Sequence, residues 1–425
     1  ITAVAVGGIV GGISYAVFAT PEGEKDFLEI YHWWTSGGEK EAISALVAVF
    51  EDLYPDTTVI QSPVTGGAGF AMLPVIKSLV LAGEAPDAFQ MHAGYEGKPY
   101  YDANLLEQID HLWTAELKAV IPDVVESMNM FGGHYYSMPV NIHRDNIVWY
   151  NKHLLDASGI NPATLTNWTA FFAACTKLET DNTGMDAISM GETWTAAHAF
   201  EQIVASRGIA FYEDWINGLV TSATDTNLVG ALTTFEEYLG YVNDDHAVIS
   251  WDEATKRVIN NISAFNIMGD WANGEFFTLN QTFGVDYGVF EVPGTGDMYG
   301  LTIDCFQHPK NVAHPKNSDR WLEVVSSKAG QDAFNPIKGS ISARTDADLT
   351  KYGPYQQSAV NDFKAVTYMY PSVVHGSGAP ESFKVKLSDI MSAFVVDKNK
   401  NKAATDLTAY TVTISDEYTV VWALD

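Results

Sequence analysis

Residues 28–41 read LEIYHWWTSGGEKE, and this stretch decides the fold. Leu28 and Ile30 alternate with less apolar neighbours, the pattern of a β-strand with one buried face. The strand runs into Trp33-Trp34, a Thr-Ser-Gly-Gly turn follows, and a helix is expected to begin near Glu39. Adjacent strand residues face opposite ways, so at most one of the two indoles points into a given core. The other lies at the C-terminal end of a strand beside a helix N-terminus, the edge where open α/β sheets bind ligands. Flat apolar rings next to polar backbone suit a sugar, whose C–H faces stack on indole and whose hydroxyls need hydrogen-bond partners.

Outward from that strand the pattern is βαβαβ. Ile43, Leu46, Val47, Phe50 and Leu53 share one face of a helix over 39–53. Pro55-Asp56 turns the chain into a strand at 58–61. Thr65 to Gly69 opens a second helix that ends at Ala82-Gly83; its glycine spacing fits neither phosphate-loop pattern. Residues 86–92 read as a short buried strand that leaves Gln90 and His92 on one side. The pattern then predicts a helix over 112–130, a hairpin arm over 134–139 and a strand over 141–151 crossing into a second lobe. Mostly helical chain follows to about 290. A strand at 301–306 precedes helices over 318–326, 328–334, 355–367 and 381–396. From Thr408, YTVTIS and EYTVVWA alternate about Ser415-Asp416, which reads as a β-hairpin.

The 425 residues carry 53 Asp plus Glu against 24 Lys plus Arg, a net charge of −29 that excludes nucleic acid as a partner. Cys175 and Cys305 are the only cysteines, too few for a disulfide framework and outside any metal-ligand spacing, and no cofactor motif is present. Sequons at Asn167, Asn261 and Asn280 permit N-glycans outside a cell. Residues 1–19, ITAVAVGGIVGGISYAVFA, carry no charge and as a helix would span about 28 Å, a bilayer's hydrocarbon core. No Met or basic residue precedes them, so they read as a processed end cut ahead of the apolar stretch. Gly7 with Gly11 and Gly8 with Gly12 form small-xxx-small pairs that let helices approach. The expectation is a hydrophobic helix and linker over 1–27, serving as a membrane anchor or as the core of a homo-polymer. The segment resembles the mature N-terminus of archaeal type IV pilin-like exported proteins.

The body resembles the extracellular sugar-binding proteins of ABC importers, the family of maltose-binding protein, and within it the glucose-binding branch. The resemblance is carried by LEIYHWW, PVTGGAG (63–69), PDAFQMHAG (86–94), MPVNIHRDNIVWYN (138–151), FNIMGDWANG (265–274), SKAGQDAFNPIKGSISAR (327–344) and VVHGSGAPESF (373–383), and covers nearly all of 28–400. It implies an α/β, two-lobed periplasmic-binding-protein-like fold with a hinge and an interlobe cleft. The first lobe would hold 28–140 plus 297–345 and the second 146–290 plus 352–404, with crossings near 140–146, 290–298 and 345–352 and a hairpin-like tail over 405–425. It implies capture of a monosaccharide, read by the importer's membrane subunits when the cleft closes. Carried over motif by motif, the ligand residues are Trp33, Trp34, Glu39, Gln90, His92, Trp271, Asp304, Lys338 and His375. Here TSGGE is one residue longer than the family's turn, which shifts Glu39 against the Trp pair.

Each residue also has a structural reading. Asp270 caps a helix, Lys338 pairs with an acid, and Glu192 and Trp194 are either cleft wall or scaffold. The rival class is a glycoside hydrolase, in which two carboxylates such as Glu39 and Asp304 would flank the sugar. No nucleophile–base motif supports it, so no catalytic residue is assigned.

Overall fold

The computed structural model describes residues 26–417; the apolar segment 1–19, most of its linker and residues 418–425 lie outside the described residues. Strand β1 is Asp26–His32, two residues into the stretch expected to be linker, and buries Leu28 and Ile30 completely. Helix α1, Gly37–Leu53, buries Ala42, Ile43, Leu46, Val47 and Phe50 along one stripe and packs on the helix Lys328–Lys338. Strand β2 is Thr57–Pro63, helix α2 is Met72–Ala82 and strand β3 is Ala88–His92. Gly83 ends α2 in the left-handed region, φ 77°, as the Ala82-Gly83 pair predicts.

Three sheets organise the body. In the first, the order is β2, β1, β3, Asp304–Gln307, Ser137–Pro139; β1 to β3 run parallel and the last two strands pair antiparallel. A second, antiparallel sheet joins Tyr287–Glu291, Ile147–Asn151 and Phe265–Ile267. Between them lies a four-stranded sheet of Ile341–Ser342, Asn141–Arg144, Met298–Thr302 and Tyr368–Pro371. The chain leaves the first sheet at Pro139, contributes Asn141–Arg144 to the middle sheet and enters the second at Ile147. It returns through Glu291, Met298–Thr302 and Asp304. The cleft is therefore floored by strands that belong to neither lobe alone.

Two sequence expectations fail. The helix expected over 112–130 is two short helices, Ala115–Lys118 and Asp123–Met128, because Pro122 cannot continue the first and pushes Ile121 out of the helical region. The tail is not a β-hairpin over the described residues: Lys400–Glu417 is one helix. Ala403, Ala404 and Leu407 are buried, and Tyr410 stacks on Phe383 at 5.8 Å. Thr408 Oγ1 donates to the Ala404 carbonyl, 2.8 Å, so its β-branched hydroxyl is satisfied within the helix. Once that first half is anchored, propagation adds a hydrogen bond per residue, which outweighs the weak strand preference of the residues beyond Tyr410. Among the described residues no helix is long and apolar enough to cross a membrane.

Candidate functional site

The first-sheet strands end in a row of polar side chains. Gln90 and His92, two apart on β3, project beside Asp304 on the neighbouring strand, whose Cα is paired with that of His92. Asp304 accepts from Gln90 Nε2 (2.9 Å), Asn141 Nδ2 (2.7 Å) and the His143 ring (Nε2, 3.1 Å). Gln90 Oε1 also accepts from the Trp33 backbone N–H, 3.0 Å. His143 Nδ1 contacts Asp270 from the second lobe. Burial alone would raise the Asp304 carboxyl, but the His143 hydrogen bond and the positive charges of His143, His92 and Lys338 outweigh it and hold it well below the usual carboxylate range. Burial would lower His143; the Asp270 charge and hydrogen bond reverse that and raise it. Lys338 Nζ donates to Glu39 Oε1, 2.9 Å, and burial raises Glu39 more than Lys338 lowers it.

The opposite wall is aromatic. Trp271 and Trp194 lie 6.3 Å apart between centroids, and His375 contacts both, at 4.8 and 5.7 Å. His375 reaches across to His92, 5.3 Å, and His92 packs on Trp33, 4.8 Å. Behind them His198 touches Trp194, Trp271 and His375. Burial lowers His198 to about 3 and, with the charges of His92, His198, Lys384 and His143, drives His375 well below the usual histidine value, so both rings are neutral near pH 7. His375 Nε2 and the Trp34 indole N–H have no hydrogen-bond partner among the described residues.

Together these walls line a narrow cavity that is partly open to solvent. Trp33, Trp34, Glu39, His92, Trp271, Asp304, Lys338 and His375 all lie on its surface, with Gly67, Ala68, His143, Trp194, Trp251 and Thr302. Gln90 does not; it holds Trp33 and Asp304 in place from behind. Trp34 is split in role, its ring packed on Phe334 (4.7 Å) and Phe306 (5.9 Å) in the core. Glu192 is not on this wall but accepts from Trp194 Nε1, 3.0 Å, and lines a wider outer opening of about 670 Å³ with Ser36, Thr65 and Asp252. Asp270 does not cap the following helix with its side chain; it pairs with His143 and accepts from Tyr355 (3.4 Å). Sequence reasoning missed His143, Thr302 and Trp251. His143 stands two residues from Asn141 on a strand, the same spacing that singled out Gln90 and His92, and carried the signal.

The lobes meet through backbone. A Cβ on Gly38 would lie 2.8 Å from the Gly274 carbonyl carbon, and one on Gly274 2.9 Å from the Ile337 oxygen. Gly339, φ 96°, presses on the Asp270 carbonyl, where a Cβ would come to 2.6 Å. A Cβ on Gly67 would lie 2.5 Å from Trp194 Nε1. Glu275 Oε1 accepts from the Gly38 N–H at the start of α1, 3.2 Å. Among the described residues no cluster of three His, Cys, Asp or Glu side chains is arranged to hold a metal.

The profile of a family described as bacterial extracellular solute-binding protein matches residues 34–332. An uncharacterized ABC transporter extracellular-binding protein of Pyrococcus horikoshii is 41% identical over 96% of this chain and 92% of its own. A probable sugar-binding periplasmic protein of Rhizobium meliloti is 30% identical over 92% of this chain and 95% of its own. Among solved structures, a bacterial solute receptor with an exclusive preference for β-D-galactopyranose superposes with a TM-score of 0.78 at 16% identity, over 92% of this chain and all of that one. That likeness shows the two-lobed fold, and the profile and the relatives show the kinship: the chain belongs to the bacterial extracellular solute-binding protein family.

Proposed function

We propose that the protein captures one hexose-sized sugar, glucose-like, outside the cell and delivers it to the membrane subunits of an ABC importer. The observation that carries this is the narrow cleft that sets Asp304 and the Glu39–Lys338 pair on one side opposite Trp271 and Trp194 on the other. Carboxylates accept from vicinal hydroxyls, Lys338 donates, and the indoles cover the apolar ring faces. As a member of a solute-binding family the chain is a binding protein, not a glycoside hydrolase. Calorimetric titration of glucose, galactose, mannose and maltose tests the reading. A monosaccharide binding more tightly than maltose is expected; maltose binding with no heat from any monosaccharide overturns it.

The N-terminal segment supports a second part of the proposal: residues 1–19 fasten the receptor to the cell surface, as a filament core rather than a lone anchor. Its glycine pairs at i, i+4 favour helix-to-helix contact. Removing residues 1–27 should abolish polymers in electron micrographs while sugar affinity persists; an unchanged oligomeric state favours the membrane anchor. Asn167, Asn261 and Asn280 are all exposed and open to glycosylation, which mass spectrometry of native material reads directly.

A further inference from the structure

Behind His92, on the side away from the cavity, lies a carboxylate with no place among the sugar contacts. Glu96 follows β3 in a short turn, Tyr95–Gly97, of the first lobe. Its Oε2 accepts from the His92 backbone N–H, 2.8 Å, and stands 2.9 Å from His92 Nδ1. This requires a hydrogen on Nδ1 and turns Nε2 toward Asp304 Oδ1, 3.8 Å away at the cavity wall. The other oxygen, Oε1, lies 2.6 Å from Lys384 Nζ. Lys384 belongs to the helix Glu381–Asp397, which packs along Thr193–Ala205 of the second lobe.

Lys384 makes two more contacts on the first lobe. Nζ donates to the Ala68 carbonyl, 2.7 Å, and stands 4.7 Å over the Phe70 ring. Ala68, on the cavity wall, holds φ 52°, a left-handed conformation that L side chains adopt at a cost. The second-lobe turn that presents His375 rests on the same carboxylate. Gly376, φ 72°, approaches so closely that a Cβ would lie 2.7 Å from Glu96 Oε1, and Gly94, φ 99°, does the same against the Ser377 oxygen at 2.6 Å. Glu96 and Lys384 side chains are 1% and 2% exposed. Burial alone would raise Glu96; Lys384 and His92 hold it near 2, so the carboxylate is ionised.

A permanent structural pair would explain the burial alone. It does not explain why one carboxylate joins a cleft histidine, a cation of the opposite lobe and the turn carrying a second cleft histidine. Desolvation offsets most of the attraction in a buried ion pair, whereas burying one partner without the other is strongly unfavourable. Such a contact penalises every arrangement except the one in which both groups arrive together. We propose that Glu96 and Lys384 form an interlobe latch, Glu96 acting as the positioning residue that couples the seating of His92 on the ligand to closure of the lobes.

The proposal rests on the sugar-receptor reading, and its test separates the two. In the full chain with D-glucose or D-galactose as probe, Lys384→Met should weaken binding fivefold or more through faster dissociation, with the association rate held within twofold in stopped-flow tryptophan fluorescence. The pair joins two groups of this chain and needs no ligand atom between them, so it holds a fraction of unliganded molecules shut; Lys384→Met should also enlarge the unliganded protein in small-angle scattering, a readout that needs no ligand. The double variant Glu96→Gln with Lys384→Met leaves no buried charge and keeps an acceptor for His92, so affinity should return most of the way to wild type. Weakening below fivefold, unchanged dimensions, or a double variant as weak as Lys384→Met overturns the latch. If the wild type binds neither sugar, the receptor reading fails while the scattering comparison still decides the latch.

Discussion

The two walls of the cleft are built on opposite plans. On the first lobe the polar atoms are already committed to one another: Asp304 takes three hydrogen bonds from Gln90, Asn141 and His143, and Lys338 is held on Glu39. On the second lobe His198 and His375 meet Trp194, Trp271 and each other edge to face, and both ring nitrogens of His198 and Nε2 of His375 lack hydrogen-bond partners among the described residues. A pre-ordered polar wall loses little entropy when hydroxyls arrive, so it is suited to meet the ligand first. An aromatic wall adds area without demanding direction, so it is suited to close over a ring already placed.

The sharpest way to break this contrast is Asp304→Asn. It keeps the shape but removes the charge that accepts from His143, and the monosaccharide's affinity should fall about 100-fold, roughly 3 kcal/mol, in calorimetry. A loss under fivefold would mean that the first-lobe wall does not read the sugar. Trp271→Ala should cost less, about 2 kcal/mol or roughly 30-fold. It should act through dissociation, since the second lobe closes after encounter; a fall mainly in the association rate, measured by stopped flow, would reverse the proposed order.

A further effect is on stability against pH, and it again divides the walls. His198 and His375 have folded pKa values below 6.5, so as pH falls from 6.5 to 4.5 the unfolded chain takes up protons that the folded protein refuses. Stability present above pH 6.5 should therefore decline by about 1.4 kcal/mol per pH unit for each such ring. Asp304 and Glu96 are depressed, and their contribution disappears only below the unfolded values of 3.8 and 4.5. His143 is raised, so its contribution is complete below 6.5 and adds no slope in the window. Glu39, raised by burial, works the other way near pH 4.5. Denaturant unfolding of wild type and His198→Gln at pH 6.5, 5.5 and 4.5 measures this; slopes that stay parallel would mean that His198 is not held neutral.

Legibility in the sequence tracks the reach of the interaction. The β1 to β3 unit is readable because burial imposes period 2 on Leu28 and Ile30 and a helical stripe on α1. Eight of the nine residues assigned by resemblance lie on one cavity, although motif matching does not separate wall from support: Gln90 stands behind the wall and Trp34 is half core. The Asp304–His143–Asp270 chain joins residues 161 and 127 positions apart, and no local pattern reports such a pairing. Over the described residues up to Glu417 the tail reads wrongly because its alternation is local while its conformation is set by packing of Leu407 and Tyr410 on distant helices.

The glycines where α1 meets the second lobe carry one more consequence. Because Gly38, Gly274 and Gly339 approach backbone to backbone, the shut form has no slack for even a methyl group. An alanine at Gly274 would act as a doorstop, leaving both half-sites intact but unable to come together. A receptor wedged in this way would still greet its sugar yet never signal that it is loaded, so three hydrogen atoms in place of side chains separate catching a nutrient from announcing it.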